Sequence, residues 1–400
     1  MTQAEYDIVV SGGGVAGLAA ASVFGNAGFS VLCVDPAPPI TARDAEGSDL
    51  RTTAFLQPAQ ALLDRAGLWA RLAPHAADLQ VMRIVDAGGE VPEPRVTREF
   101  DASDISEKPF GWNLPNWLLR REMVAHLESL PSVTFRPGTG TTTLFTRESE
   151  ARIGLSDGSR VRCRLVIAAD GRNSPIREAA GVKVKTTRYG QKALAFAVTH
   201  PIPHENVSTE IHRSGGPFTL VPLPDHEGRP SSAIVWMEEG PEVVRLAALP
   251  VEAFEAEMNI RSCYLFGPLT LASRRTVWPI ISQLAERMYA ERVALVAEAA
   301  HVVPPIGAQG LNMSLGDMRV LLELAEAAPE RLGDRAMLET YHRRRHLEVR
   351  ARVKGIDLLN RASMMRAQPL RDARAQALDA IYSLAPVRKT LMQMGLGARG

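Results

Sequence analysis

Gly12, Gly14 and Gly17 follow an apolar run at residues 8–10 and open an Ala-rich helical pattern, and Asp35 closes a second apolar run at residues 29–34. Each of these residue types does a job in holding a dinucleotide on a βαβ unit. Gly12 permits a tight turn, Gly14 removes a side chain where a pyrophosphate approaches the backbone, and Gly17 lets the helix pack closely on the strand. The N–H groups at the helix start, around Val15 and Ala16, face the phosphates, where the helix dipole also favours negative charge. Asp35 stands where a carboxylate accepts hydrogen bonds from ribose hydroxyls, and its charge repels a 2′-phosphate. Residues 8–34 carry no charge and have the length of a membrane span or signal peptide. The repeated glycines, Asn26 and the acidic start at Glu5 and Asp7 argue against both.

Two further segments have the same grammar. Residues 160–169 alternate, turn apolar and stop at Asp170-Gly171. A carboxylate and a glycine at the carboxyl end of a strand sit where open α/β sheets bind ligands, although an ordinary Asp-Gly turn has the same residues. Residues 293–296 form a third short apolar run, followed by Glu298 and then by Pro304-Pro305-Ile306-Gly307-Ala308-Gln309-Gly310-Leu311-Asn312, which leads into a helical pattern. Glu298 is placed to bond a polyol hydroxyl. Gly307 and Gly310 allow close backbone approach and exposed N–H groups, suited to the edge of a flavin where negative charge develops on reduction.

With these segments in this order, the chain resembles the group A flavoprotein aromatic hydroxylases over most of its 400 residues. That family, which includes para-hydroxybenzoate hydroxylase and the ubiquinone-biosynthesis hydroxylases, carries a glycine-rich N-terminal unit, a mid-chain Asp-Gly and a Gly-Asp-Ala-Ala-His motif before a Pro/Gly loop. Four shorter matches point to the ubiquinone branch: Asp49-Leu50-Arg51-Thr52-Thr53-Ala54, the helix start at Asn116, the Gly-Pro strand at residues 216–223, and Trp278-Pro279-Ile280. Two positions depart from that branch. Ala297-Glu298 stands where Gly-Asp is usual, which keeps a carboxylate but narrows the backbone approach, and the loop at residues 307–310 is closer to the para-hydroxybenzoate hydroxylase form.

The resemblance implies non-covalent FAD, NAD(P)H as co-substrate, and O2 activated as a flavin C4a-hydroperoxide that attacks a small aromatic substrate, a phenolic or quinone precursor. It places Arg51 near the flavin and pyrophosphate, Arg120 near the FAD, the backbone of Gly310, Leu311 and Asn312 on the flavin ring, and the Pro305 carbonyl beside the oxygen-reactive position. His301 occupies a structural position in the family motif rather than that of an acid or base. The competing readings are an FAD-dependent lipid reductase, which shares the first fingerprint only, and a non-catalytic flavoprotein scaffold marked by Ala297-Glu298.

The elements that must position these residues are those of an α/β fold: a Rossmann-like three-layer FAD-binding domain, an inserted antiparallel β-sheet substrate domain and C-terminal helices. The expected division is residues 1–182 for the first part of the FAD-binding domain, with substrate-domain elements near 75–115, then 183–287 for the β-rich substrate domain. Residues 288–334 complete the FAD-binding domain and 335–400 form the C-terminal helices. In that last segment Leu, Val, Ile and Met recur at helical spacing among many arginines, including Arg343, Arg344, Arg345, Arg350, Arg352, Arg361 and Arg366. They read as a solvated face, or alternatively as a patch that docks on an anionic membrane or an acidic partner.

The remaining composition excludes several function classes. A formal net charge of +1 gives no footprint for nucleic acid. Cys33, Cys163 and Cys263 lack Cys-x-x-Cys spacing, and Cys33 reads as a buried, inert thiol. The nine His show no metal-ligand spacing, and no hydrolase elbow or phosphate-loop lysine motif occurs. The expected location is the cytoplasm, with peripheral attachment to the inner membrane as the alternative.

Overall fold

The computed structural model describes residues 4–396. Its first sheet has a parallel centre in which Val133–Pro137, Val31–Asp35, Ala4–Ser11, Arg160–Ala168 and Val293–Leu295 lie side by side. Toward their carboxyl ends the three inner strands become continuously apolar, because the sheet is covered there on both faces, and Ile8, Val9 and Val10 are completely buried. The register matters for function. Ser11 pairs with both Val34 and Ala168, and Ala168 pairs with Leu295, so the carboxyl ends of four strands finish level. All three sequence segments therefore reach the same edge of the sheet.

The helix Val15–Asn26 leaves that edge and packs back on the strands. Its approach depends on two glycines. Gly12 has φ +111°, and a Cβ at Gly17 would lie 1.8 Å from the Gly12 carbonyl oxygen.

A second sheet of nine strands is built mainly from residues 184–302. The alternating runs at residues 193–198, 218–223 and 233–236 fall inside the strands Val184–Thr199, Pro217–His226 and Arg229–Glu239. The sheet is not purely antiparallel. Val81–Asp86 and Val96–Asp101 extend its far edge, and Val81–Asp86 runs parallel to Val207–His212. Alternation of side chains is the same in either direction, so strand polarity was not visible in the sequence. One face of this sheet buries Phe196, Phe218 and Trp236 against Val243, Leu246, Phe254 and Met258 of the helices Gly240–Ala248 and Val251–Arg261. The other face contributes Ala193, Met237 and Ile280 to the core that contains the parallel strands. A small third sheet, Thr52–Leu56 with Gly111–Pro115 and Ala77–Leu79, lies beside them.

The C-terminal region forms three helices, Arg335–Ser363, Gln368–Ser383 and Ala385–Leu396. One residue of its arginine-rich face is a correction. Arg345 is only 2% exposed, and its Nε donates to Asp317 Oδ1 at 2.9 Å. Arg344 pairs with Glu323, and Arg361 with Asp357. Periodicity assigns a charged residue to the surface by default and has no means to see a partner brought in from another helix. Cys33 is fully buried, and burial pushes its thiol far up; Cys163 is likewise pushed up to about 12. Burial of both disfavours the reactive thiolate.

Candidate active site

At the common strand edge, the first glycine turn is held from two sides. The Gly12 N–H donates to the Val34 carbonyl at 2.8 Å, and the Gly13 N–H donates to Asp35 Oδ2 at 2.5 Å. Asp35 Oδ1 accepts from the Ala37 N–H at 2.9 Å. Asp35 is thus oriented by the backbone, and each carboxylate oxygen retains a lone pair for a further donor. A Cβ built on Gly14 meets nothing within 4 Å. The space over Gly14 is therefore open, whereas Gly12 and Gly17 are packed against protein.

Asp170 sits at the end of the second strand. Its Oδ2 accepts from the Ile176 N–H at 3.1 Å, while Oδ1 is buried with no partner. Burial pushes this carboxyl above its ordinary range. A buried acceptor without a donor costs about 1–3 kcal/mol, so the site favours something that supplies one. Ser174 caps the short helix that follows by accepting from the Arg177 N–H at 3.0 Å.

The third strand ends at Leu295, and Ala297–Ala299 is a 3-10 turn. Ala297, which replaces a usual glycine, has φ +54°. Its left-handed conformation explains why glycine is favoured there. Glu298 is directed toward the second strand end, where Arg172 donates to it from Nε at 3.1 Å and from Nη2 at 3.3 Å. The Glu298 side chain is 45% exposed.

Arg51 and Arg120 converge on Asp49. Arg51 donates to it from Nε at 2.7 Å and Nη2 at 2.6 Å, Arg120 Nη2 lies 3.7 Å away, and Asn116 Nδ2 donates at 3.1 Å. The hydrogen bond to Asp49 raises the Arg51 guanidinium against the effect of burial, and the charges of Asp49 and Glu298 add to it. Arg51 therefore lies within the field of the third strand end. It also lies 5.3 Å from the centroid of the Trp278 ring, on the second sheet. Arg120 Nε is buried and unpartnered.

Beyond His301, the loop turns through Gly307 at φ +63° and Ala308 at φ +56° into the helix Gln309–Ala327. Pro305 and Gly310 are exposed, and a Cβ on Gly310 would again meet nothing within 4 Å. Asn312 uses its side chain as a clip: Oδ1 accepts from the Leu56 N–H at 2.8 Å, and Nδ2 donates to Ala54 O at 2.7 Å and Ala308 O at 2.6 Å. This pins the loop beside the strand that follows Arg51 and leaves Leu311 half-buried. His301 is buried on Asp317 at 2.7 Å, away from any opening.

A profile for an FAD binding domain matches residues 5–355. The chain belongs to this FAD-binding family. It is similar to the ubiquinone hydroxylase UbiL of Rhodospirillum rubrum, with 33% identity over 395 residues, 98% of this chain and 89% of that protein. It is also similar to the 3-demethoxyubiquinol 3-hydroxylase of Escherichia coli, at 25% identity over 99% of this chain and all of the other. The crystal structure of p-nitrophenol 4-monooxygenase PnpA from Pseudomonas putida has the same fold, with a TM-score of 0.79 over the full length of both chains at 20% identity.

The residues of this FAD-binding protein fit the cofactor on structural grounds. Asp170 Oδ1 and Arg120 Nε are orphaned polar atoms of opposite character, and open space remains at Gly14 and Gly310. Sequence motifs missed the orienting set, namely Arg172, Asp49, Asn116 and the side-chain role of Asn312. Asp49 and Asn116 stand inside the quoted motifs, so their signal was present; Arg172 follows Asp170-Gly171 with no pattern that marks it.

Proposed function

We propose that the protein is an FAD-dependent monooxygenase that hydroxylates an aromatic ring, that of a phenolic or quinone precursor in ubiquinone biosynthesis, with NAD(P)H and O2 as co-substrates. The observation that carries this reading is the 33% identity to a ubiquinone hydroxylase over 98% of the chain, in a protein whose three fingerprint segments end level on one sheet. When bound, FAD supplies the hydride acceptor and the oxygen chemistry.

The chain's own residues bind and orient. Gly12, Gly14, Val15, Ala16 and Gly17 present the pyrophosphate seat, and Asp35 takes the ribose hydroxyls. Asp170 and Glu298 face the polyol chain, with Arg51 and Arg120 supplying positive charge beside it. Gly307, Gly310, Leu311 and Asn312 offer backbone to the ring, and the exposed Pro305 carbonyl borders the space where an aromatic substrate stands. Trp278 and the buried face of the second sheet shield that space from water. His301 donates or accepts only within its buried pair and takes no part in proton transfer to substrate. Because a quinone precursor is lipophilic, we further propose that the protein works as a peripheral membrane protein; no described helix is long and apolar enough to cross a membrane.

Oxygen uptake with NAD(P)H and a panel of phenols tests the reading. The expected result is a product carrying one added oxygen, formed only with the FAD-loaded protein. FAD binding with no hydroxylated product from any phenol would overturn the reading; saturation of an added unsaturated lipid would then identify the reductase, and no turnover on either class of compound the scaffold.

A further inference from the structure

The last two helices bury little of their apolar surface: Ala375, Met392 and Leu396 are their buried residues. Their charged side faces the protein, where Asp372 pairs with Arg95, Asp379 with Arg98, Arg374 with Asp86 and Arg388 with Asp104. Tyr382 adds an edge contact to Phe100, with centroids 5.5 Å apart. Their apolar side faces outward. Leu370, Ala373, Ala377 and Ile381 are exposed on Gln368–Ser383 at intervals of three and four residues, which places them in one stripe. Leu384, Val387, Leu391 and Met394 continue the pattern along Ala385–Leu396, all exposed. Leu347, Leu358 and Leu359 are exposed on the preceding helix. Helices on a globular surface normally bury such a stripe, and contiguous exposed apolar surface marks a contact face.

The charge around the stripe selects its occupant. Residues 335–396 hold thirteen Lys and Arg against five Asp and Glu, a net of +8, so the rest of a chain of net charge +1 carries −7. Arg343, Arg350, Lys354 and Lys389 are exposed and form no ion pair among the described residues. A second copy meeting this face would bring the same positive charge to it, whereas an anionic lipid surface complements both the cations and the apolar stripe. We propose that Gln368–Ser383 and Ala385–Leu396 lie in the surface of an anionic membrane with the Leu370 to Met394 stripe inserted among the acyl chains. The inference deepens the peripheral attachment proposed above and rests on it. In this arrangement the Arg343 to Arg345 cluster is not the anchor, since Arg345 is buried and Arg344 is paired.

The test is flotation of the full FAD-loaded chain with vesicles of phosphatidylcholine alone or mixed with phosphatidylglycerol. The wild type is expected to float with the mixed vesicles. A Leu384→Ser, Leu391→Ser double variant is expected to lose roughly ten-fold or more in binding, as removal of two inserted leucines implies. Lys354→Glu, Lys389→Glu is expected to weaken binding mainly at low salt, because exposed charges are screened beyond about 10 Å at 0.1 M. Both doubles change only exposed side chains, and unchanged melting temperatures check that they fold. Wild type that stays with the pellet fraction, or a serine variant that floats equally well, overturns the proposal; so does concentration-dependent dimerisation abolished by the serine pair without vesicle binding. Hydroxylation of a short-chain soluble phenol, measured on the same samples, separates these failures from failure of the hydroxylase reading.

Discussion

Arg172 and Glu298 join two strand ends that are 126 residues apart in the chain, through a pair of hydrogen bonds at 3.1 and 3.3 Å. The pair is partly exposed, so it contributes no more than about 0.2–1 kcal/mol to folding. In the proposed reading its weight falls on the cofactor, because it sets the direction of the Glu298 carboxylate. Glu298→Ala is expected to weaken FAD binding by about 1.5–3 kcal/mol, the range for a hydrogen bond to a charged group, with little change in the melting temperature of the apoprotein. Glu298→Asp should keep most of the affinity. Flavin fluorescence titration measures both, and equal affinity in wild type and Glu298→Ala would show that this carboxylate does not reach FAD.

Gly14 and Gly17 separate ligand space from packing space. Because a Cβ at Gly14 meets no protein atom within 4 Å, Gly14→Val should fold normally and lose FAD. A Cβ at Gly17 would lie 1.8 Å from Gly12 O, so Gly17→Ala should destabilise the apoprotein by at least the 1–3 kcal/mol or so typical of overpacking. Urea unfolding of the two apoproteins, with flavin content measured beside it, distinguishes these outcomes; retained FAD in Gly14→Val would refute the pyrophosphate seat.

Ala297 is held at φ +54°, a conformation that costs an alanine more than a glycine. Ala297→Gly is expected to stabilise the protein by about 0.5–1 kcal/mol, since relief of the left-handed strain exceeds the added chain entropy of glycine. A lower unfolding midpoint in the variant would contradict this.

The buried group of His301, Asp317 and Arg345 sets a pH limit. Burial alone would raise the Asp317 carboxyl, but the charges and hydrogen bonds of His301 and Arg345 outweigh it and hold Asp317 below its ordinary value of 3.8. A depressed folded-state pKa contributes stability that is complete above pH 3.8 and is lost as pH falls through the folded value. Arg345→Ala should cost about 3–5 kcal/mol by removing the guanidinium that offsets the buried Asp317 carboxylate and leaving His301 as its remaining partner, whereas exposed Arg343→Ala should stay within about 0.5 kcal/mol of wild type. Denaturant melts from mildly acidic to strongly acidic pH test the direction; a wild type whose stability rises on acidification would rule it out.

Local chemistry made much of the site legible in advance. A tight turn, a phosphate approach and a close helix each demand glycine, so Gly12, Gly14 and Gly17 announced the first unit, and Asp35, Asp170 and Glu298 stood out as carboxylates after apolar runs. These features depend on neighbours within a few residues, and such information is complete in the chain. Partnership across the fold is not. That Arg345 is buried, that Arg51 and Arg120 meet on Asp49, and that the side chain of Asn312 clips a loop to Ala54 and Leu56 all depend on elements up to 258 residues away. The parallel pairing of Val81–Asp86 with Val207–His212 has the same origin, since strand direction leaves no trace in alternation. Tertiary structure decided these because a hydrogen bond or an ion pair depends on distance in space, and charged side chains at helical spacing look alike whether they face water or a buried carboxylate.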